Sequence, residues 1–411
     1  MKNFLIIISC FFIFKNSYAT VWRVYPSATQ HTLTQAISNA KAFDTILLGS
    51  GIYKEGNILI NKPLYLKGLA GAIIDGEKKY EIISVKSDAV TIDGLQVQHA
   101  GYSSSEDFAG IKIYNARNVS IINNTVIDTY FGIYGQYIRN CFISNNKLYS
   151  NATDEIISGN GIHCWKSDSV SIMHNYIKGH RDGIYFEFVN YSMIVSNYSD
   201  ENLRYGLHFM FSSNNTYVNN IFSKNGSGVA VMYSHHVKMF WNTFSNSEGS
   251  AAYGILLKDI TDSDIDFNRF FKNTSAVYME GTSRIKITNN QFLKNGWAFK
   301  VSANCIDIEV TKNNFIANTF DVTTNGSVSL NTFNSNYWDK YEGYDLNRDG
   351  TGDVPYHPVS MFSMVVEKNP STAILLRSMI VTLMDKAEKM IPSLTPVNLL
   401  DNVPLMKPFY Q

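Results

Sequence analysis

Three side chains stand out for the chemistry they offer: His208, Met210 and Met232. They sit in two similar stretches, Gly206-Leu207-His208-Phe209-Met210 and Gly228-Val229-Ala230-Val231-Met232. If each stretch is a strand that buries the first and third residues after its glycine, the second and fourth point outward. His208 and Met210 then share an outer face, with Met232 stacked beside Met210 and the small Ala230 leaving room over His208. Imidazole and thioether are soft, neutral donors that select Cu(I) over hard cations. They bind it without the proton release that thiols require. The competing account is an apolar patch that contacts a partner or the C-terminal helix. His235-His236, at a turn near this face, offers a further imidazole or is simply solvated. A second constellation, Asp345, Asn347, Asp349 and Asp353 around Gly350, has the oxygen donors that would wrap Ca²⁺. It lacks the glutamate that completes an EF-hand loop, and an Asx-rich turn explains it equally well.

The elements that must position these residues are set by a repeat. Glycine recurs at 110, 132, 161, 183, 206, 228 and 254, continued by Ala276 and Ala298. Asparagine recurs at 124, 146, 175, 197, 220, 242, 268, 290 and 313. Most steps in both series are 22 or 23 residues, and the longer ones, 29 and 26, fall in the same places. Two markers in one phase define an internal repeat. A unit of this length with two or three short alternating strands cannot bury its own apolar face, so its copies must stack. The fold class is therefore all-β: a right-handed parallel β-helix, a pectin-lyase-like solenoid, running from about Asp44 to Asn336, since parallel crossovers are right-handed. A repeated asparagine suits a corner, because it tolerates the left-handed conformation and its amide can bond to the next along the stack.

Around the solenoid, residues 1–19 read as a cleavable leader: Lys2, an apolar stretch Phe4–Phe14, and Ser17-Tyr18-Ala19 as the cleavage signal. Cys10 does not make it a lipoprotein site, because the apolar run continues beyond it. Residues 20–76 read as an N-terminal cap with first strands, its helix marked by Leu33, Ala36, Ile37 and Ala40. Repeats fill 77–336, an Asp/Gly-rich closing loop 337–370, and an amphipathic helix with an extended arm 371–411. That helix, Ser371 to Ile391, carries Leu376, Ile380, Leu383 and Met384 on one face, a face expected to meet a membrane-embedded partner. No stretch after the leader is long and apolar enough to span a bilayer, so the expected location is the periplasm. Without the leader the chain has 33 basic and 35 acidic residues, a balance that argues against nucleic acid. Cys141, Cys164 and Cys305 are odd in number and make no disulfide framework.

An enzyme reading is the alternative. Many β-helices cut or epimerise acidic polysaccharides with aspartates and a base gathered on one outer sheet. Here that sheet would carry Tyr, His, Met and Leu with isolated Glu187, Glu280 and Lys258, so a polysaccharide lyase or epimerase is the second choice. No catalytic residue is assigned.

The stretches Arg204–Ser212, Gly228–Ser234, Leu257–Ile260, Asn295–Ala298 and Asn336–Asp339, with Gly352–Tyr356, Phe362-Ser363 and Arg377-Ser378, resemble the NosD family. The likeness covers nearly the whole chain after the leader. It implies a periplasmic accessory protein for nitrous oxide reductase that handles copper for the reductase's copper centre. The implied partners are an ABC transporter permease and ATPase, a membrane-anchored copper chaperone and the reductase itself. The resemblance carries no ligand set, so His208, Met210 and Met232 rest on the residues alone.

Overall fold

The computed structural model describes residues 19–26, 32–103, 105–151, 153–156, 158–326, 330–390 and 399–409. The expected leader, apart from Ala19, and the stretch 391–398 lie outside the described residues.

Short alternating strands separated by tight corners leave the chain one way to satisfy its edges, which is to pair each strand with its counterpart one coil away. The described strands form three sheets of 14, 13 and 12 strands, visited in that order on each coil. Every strand pairing is parallel, as in Tyr205–Met210 on Ser227–Met232. Coils therefore stack at the inter-strand spacing of roughly 4.8 Å. Inward positions form one continuous core that includes the fully buried Leu207, Phe209, Val229 and Val231. Within it, Phe222, Phe244, Phe270, Phe292, Phe315 and Trp338 stack ring on ring, with centroids 4.0–5.4 Å apart. Parallel aromatic faces in register add dispersion and quadrupole attraction to the area buried. Cys141, Cys164 and Cys305 are free and buried.

The marker asparagines form an unbroken ladder. Each Nδ2 from Asn124 to Asn313 donates to Oδ1 of the next marker, ending on Asn336, at 2.9–3.1 Å. The same Oδ1 also accepts the backbone N–H of the previous marker, as in Asn197 N to Asn220 Oδ1 at 2.9 Å. One detail of the sequence reasoning is corrected here. The left-handed residue at this corner is the one before each ladder asparagine: Asn123, Asn145, Asn219, Trp241, Phe267 and Asn289 have φ of 52–56°. The ladder asparagine is kept for its amide, which joins neighbouring coils; the conformational demand falls on its predecessor.

Both ends are closed. Helix α1 (Leu33–Asn39) carries a Thr32/Gln35 capping box and buries Leu33, Ala36 and Ile37 over the first coil. At the other end the ladder stops at Asn336, and Asp401 takes the place of a further asparagine. Its carboxylate accepts from Asn336 N at 2.9 Å, Asn336 Nδ2 at 3.1 Å, Trp338 Nε1 at 3.0 Å and Ser335 N at 3.0 Å. The tail expected as an extended arm thus folds back onto the last coil.

The segment expected as one helix from Ser371 is different. Helix α2 (Met361–Lys368), inside what reads as a closing loop, is followed by a 3₁₀ stretch (Pro370–Leu375) and helix α3 (Met379–Met390). Val381 is buried with Phe362, Val366 and Trp297, and Leu376, Met384 and Phe320 pack against them. Because α2 supplies an apolar surface, the stripe splits: Leu376 and Met384 turn inward, while Ile380 and Leu383 stay more than half exposed. Among the described residues, no helix is long and apolar enough to cross a membrane.

Candidate functional site

The outward face of the 12-stranded sheet is where His208, Met210 and Met232 lie. Strand register puts Tyr134, His163, Tyr185, His208, Ala230 and Leu256 in one column. Gln136, Trp165, Glu187, Met210, Met232, Lys258 and Glu280 form the next. Met210 and Met232 are direct partners on adjacent strands and half-exposed. Lys258 and Glu280 form the one-coil ion pair, at 3.8 Å. Helices α2 and α3 pack farther along, over Trp297 and Phe320, so the C-terminal helix does not cover the methionine pair.

His208 lies beside this pair but deeper. It is 5% exposed, between the rings of Tyr185 and Tyr205 at 4.8 and 4.9 Å. Neither ring nitrogen has a hydrogen-bond partner; Nδ1 stands 3.6 Å from Asp182 Oδ2. The Tyr185 hydroxyl donates to Met210 Sδ at 3.7 Å. His163, one further residue up the column, stacks on Tyr134 at 4.4 Å, and burial pushes its imidazole down to about 3, so it is neutral. His235 and His236 are exposed and their Nδ1 atoms are 2.8 Å apart.

Sequence reasoning missed the charged pair beneath. Asp182 is fully buried and accepts from Arg204 Nε at 2.8 Å and from its Nη2. Burial works to raise the carboxyl's pKa, but the hydrogen bonds and charge of Arg204, with His208, outweigh it and hold it at about 2. The signal was present, an acid just before a marker glycine and an arginine 22 residues later. A carboxylate locked to an arginine and held ionised is a poor general acid or base, which weighs against the lyase reading.

The second constellation closes on itself. Asp345 accepts from Asp349 N and Gly350 N, Asp349 from Thr351 N and Asn347 Nδ2, and Asp353 from Leu346 N. A bound Ca²⁺ would have to displace these donors. Among the described residues, no group of three or more His, Cys, Asp or Glu is placed to hold a metal, so a copper site on this face must rest on thioethers.

Comparison with known proteins narrows the setting. The chain is 26% identical over 384 residues to a protein of Stutzerimonas stutzeri named probable ABC transporter binding protein NosD, covering 88% of this chain and 86% of that one. A protein of the same name from Pseudomonas aeruginosa is 27% identical over 382 residues, covering 88% and 87%. Among solved structures, a Yersinia enterocolitica family 28 exopolygalacturonase superposes with TM-score 0.52 at 12% identity, over 77% of this chain and 78% of that one. The catalytic domain of a GH87 α-1,3-glucanase gives 0.56 at 11%, over 77% and 69%. Those likenesses establish the right-handed pectin-lyase-like β-helix and nothing about chemistry. Residues 144–343 match the family described as periplasmic copper-binding protein (NosD), a span that includes the coils bearing His208, Met210 and Met232.

Proposed function

We propose that this protein is a periplasmic accessory protein that takes up Cu(I) and passes it on for the copper centre of nitrous oxide reductase, working with an ABC transporter. The observation that carries the reading is the pairing of Met210 with Met232 on adjacent strands, half-exposed, with the imidazole of His208 alongside. Two thioethers at the surface make the entry pair. A cuprous ion arriving there displaces the Tyr185 hydroxyl from Met210 Sδ, and His208 completes the set when the Tyr185 ring moves aside. Thioethers are weak enough donors for the ion to leave again, which a carrier requires. Copper is the cargo, so the resting chain needs no resident metal. The family description and the printed name of the relatives support the copper and transporter parts of this reading. The permease and ATPase, a membrane-anchored copper chaperone and the reductase are the partners it implies, and export by the leader places it among them. For the transporter contact, the exposed Ile380 and Leu383 of α3 are the proposed surface.

The test is anaerobic titration of the protein with Cu(I) against a competing chelator. Met210→Leu with Met232→Leu keeps the apolar surface and removes both sulfurs. Cu(I) affinity is expected to fall at least about tenfold, the loss of roughly 1.4 kcal/mol. Unchanged affinity in the double variant refutes the site.

A further inference from the structure

The corner between the 13-stranded and 12-stranded sheets carries a second asparagine ladder in its later coils, interrupted at Ser247. Asn202 Nδ2 donates to Asn225, Asn273 to Asn295 and Asn295 to Asn318, at 2.8–3.2 Å. Five residues after each main-ladder asparagine, the earlier coils carry Thr129, Asn151 and His180, and the ladder of amide bonds is seen from Asn202 onward. Here the corner opens. Strand Thr125–Ile127 reaches Phe131–Gln136 through Asp128, Thr129 and Tyr130 alone, whereas the connections one coil before and one coil after, 99–108 and 150–161, are far longer. From the two long connections, residues 100–102 on one side and 150, 151, 153 and 158 on the other stand as walls, and the short connection is the floor of a cavity of about 450 Å³. The walls are built in. Gly101 N bonds to Tyr80 O at 2.8 Å, and a Cβ on Gly101 would lie 2.6 Å from the backbone of Lys79. On the other wall, a Cβ on Gly159 would lie 2.4 Å from Tyr130 O.

The lining has a definite chemistry. Tyr102 and Tyr130 meet edge to face at 5.3 Å and offer aromatic surface from wall and floor. Thr129 Oγ1 and Ser158 Oγ are buried hydroxyl oxygens with no hydrogen-bond partner, a costly state for a protein to keep. The Lys78 ammonium is neutralised by Asp128 at 3.4 Å, and that pair, with Asn151, presents donors and acceptors at the mouth without net charge. Among the described lining residues no cation is left unpaired, which disfavours a phosphate or uronate. An aliphatic ligand would leave the hydroxyls unmatched. We infer that this cavity binds a neutral saccharide of one or two rings: its ring hydroxyls meet Asn151 and draw the buried Thr129 and Ser158 hydroxyls round to face it, and its C–H face lies on the tyrosines. The site is remote from the methionine pair and stands or falls independently of the copper reading.

The test uses the full chain and three neutral disaccharides, maltose, cellobiose and N,N′-diacetylchitobiose, with digalacturonate as the acidic control. Binding is read by saturation-transfer NMR and calorimetry. At least one neutral disaccharide is expected to bind saturably in the millimolar range or tighter, and digalacturonate more weakly. Thr129→Val, nearly isosteric, is expected to weaken binding at least about fivefold, as is Tyr102→Ala. The proposal is overturned if none of the three binds saturably, if digalacturonate binds best, or if folded Thr129→Val and Tyr102→Ala both bind as the wild type does.

Discussion

Replacing Asp182 by asparagine removes the buried charge of an ion pair beneath the outer face. The native carboxylate is fully buried, takes two bonds from Arg204 and a longer one from Tyr205 N at 3.3 Å, and faces His208. Its pKa is held at about 2 against an ordinary 3.8. That is a depression of roughly two units, worth about 2–3 kcal/mol at 1.36 kcal/mol per unit. Because the folded value lies below the unfolded one, this stability is present in full above the unfolded pKa near 4. It is lost as pH falls through the folded value near 2. Asparagine has no such linkage. Asp182→Asn is therefore expected to cost about 2–3 kcal/mol at pH 7, and its stability should be flatter than wild type between pH 4 and 2. The loss stays below the 3–5 kcal/mol typical of a broken buried pair because the Arg204 side chain is about one-third exposed and can take water instead. Urea unfolding followed by circular dichroism at pH 7, 5, 3.5 and 2.5 measures both effects. Wild-type and variant curves that stay parallel from pH 4 to 2 would refute the reasoning.

Other expectations follow from the same structure. Asp321 is buried and its carboxyl is raised to about 6, chiefly by that burial, despite Lys340 at 3.3 Å. Its folded value lies above the unfolded one, so wild-type stability should decline between pH 4 and 6. Asp321→Asn should remove that decline and raise the melting temperature at pH 7.5 relative to wild type; a lower one would contradict the sign. Asp401→Ala leaves Asn336 N and Trp338 Nε1 without their acceptor, at about 1–3 kcal/mol for each buried donor left unpaired, while Asn336 Nδ2 keeps Val310 O at 2.8 Å. Limited proteolysis should then cut first in the last coils, and cleavage starting elsewhere would count against the cap. Ile380→Glu with Leu383→Glu should keep the fold, because both side chains are exposed, and lose co-purification with the transporter permease. Retained co-purification would move the contact elsewhere. Truncation after Pro370 is a poorer test, since it also removes Asp401.

The solenoid was readable because its two markers do separate physical jobs in fixed phase: glycine where the backbone of the next coil comes close, asparagine where an amide bridges coils. A Cβ on Gly206 would sit 2.7 Å from Gly228 O, so a larger residue there would have to push the next coil away. Alternation placed His208, Met210 and Met232 on one face because side-chain direction in a strand follows from parity alone. Depth was not readable. Nothing in the run Tyr205–Met210 says that Tyr185, a coil away, covers His208, or that Asp182 lies beneath. The C-terminal region misled for a similar reason. An amphipathic stripe records that something is buried but not against what, and α2 was hidden in a segment whose aspartates and glycines read as loop. Asp401 carries no local signal at all, because its partners are more than 60 residues away in sequence.

That separation sets a timetable. A solenoid can grow coil by coil from α1, each turn folding on the one before as the chain is made. The last turn cannot finish so. Asn336 waits for a carboxylate 65 residues downstream, a delay set by how fast that stretch emerges. Through it, the final strands present open edges, the state in which β-proteins capture their neighbours. Aggregation during production should then be governed by how fast the stretch after residue 336 is delivered, more than by the stability of the finished coils.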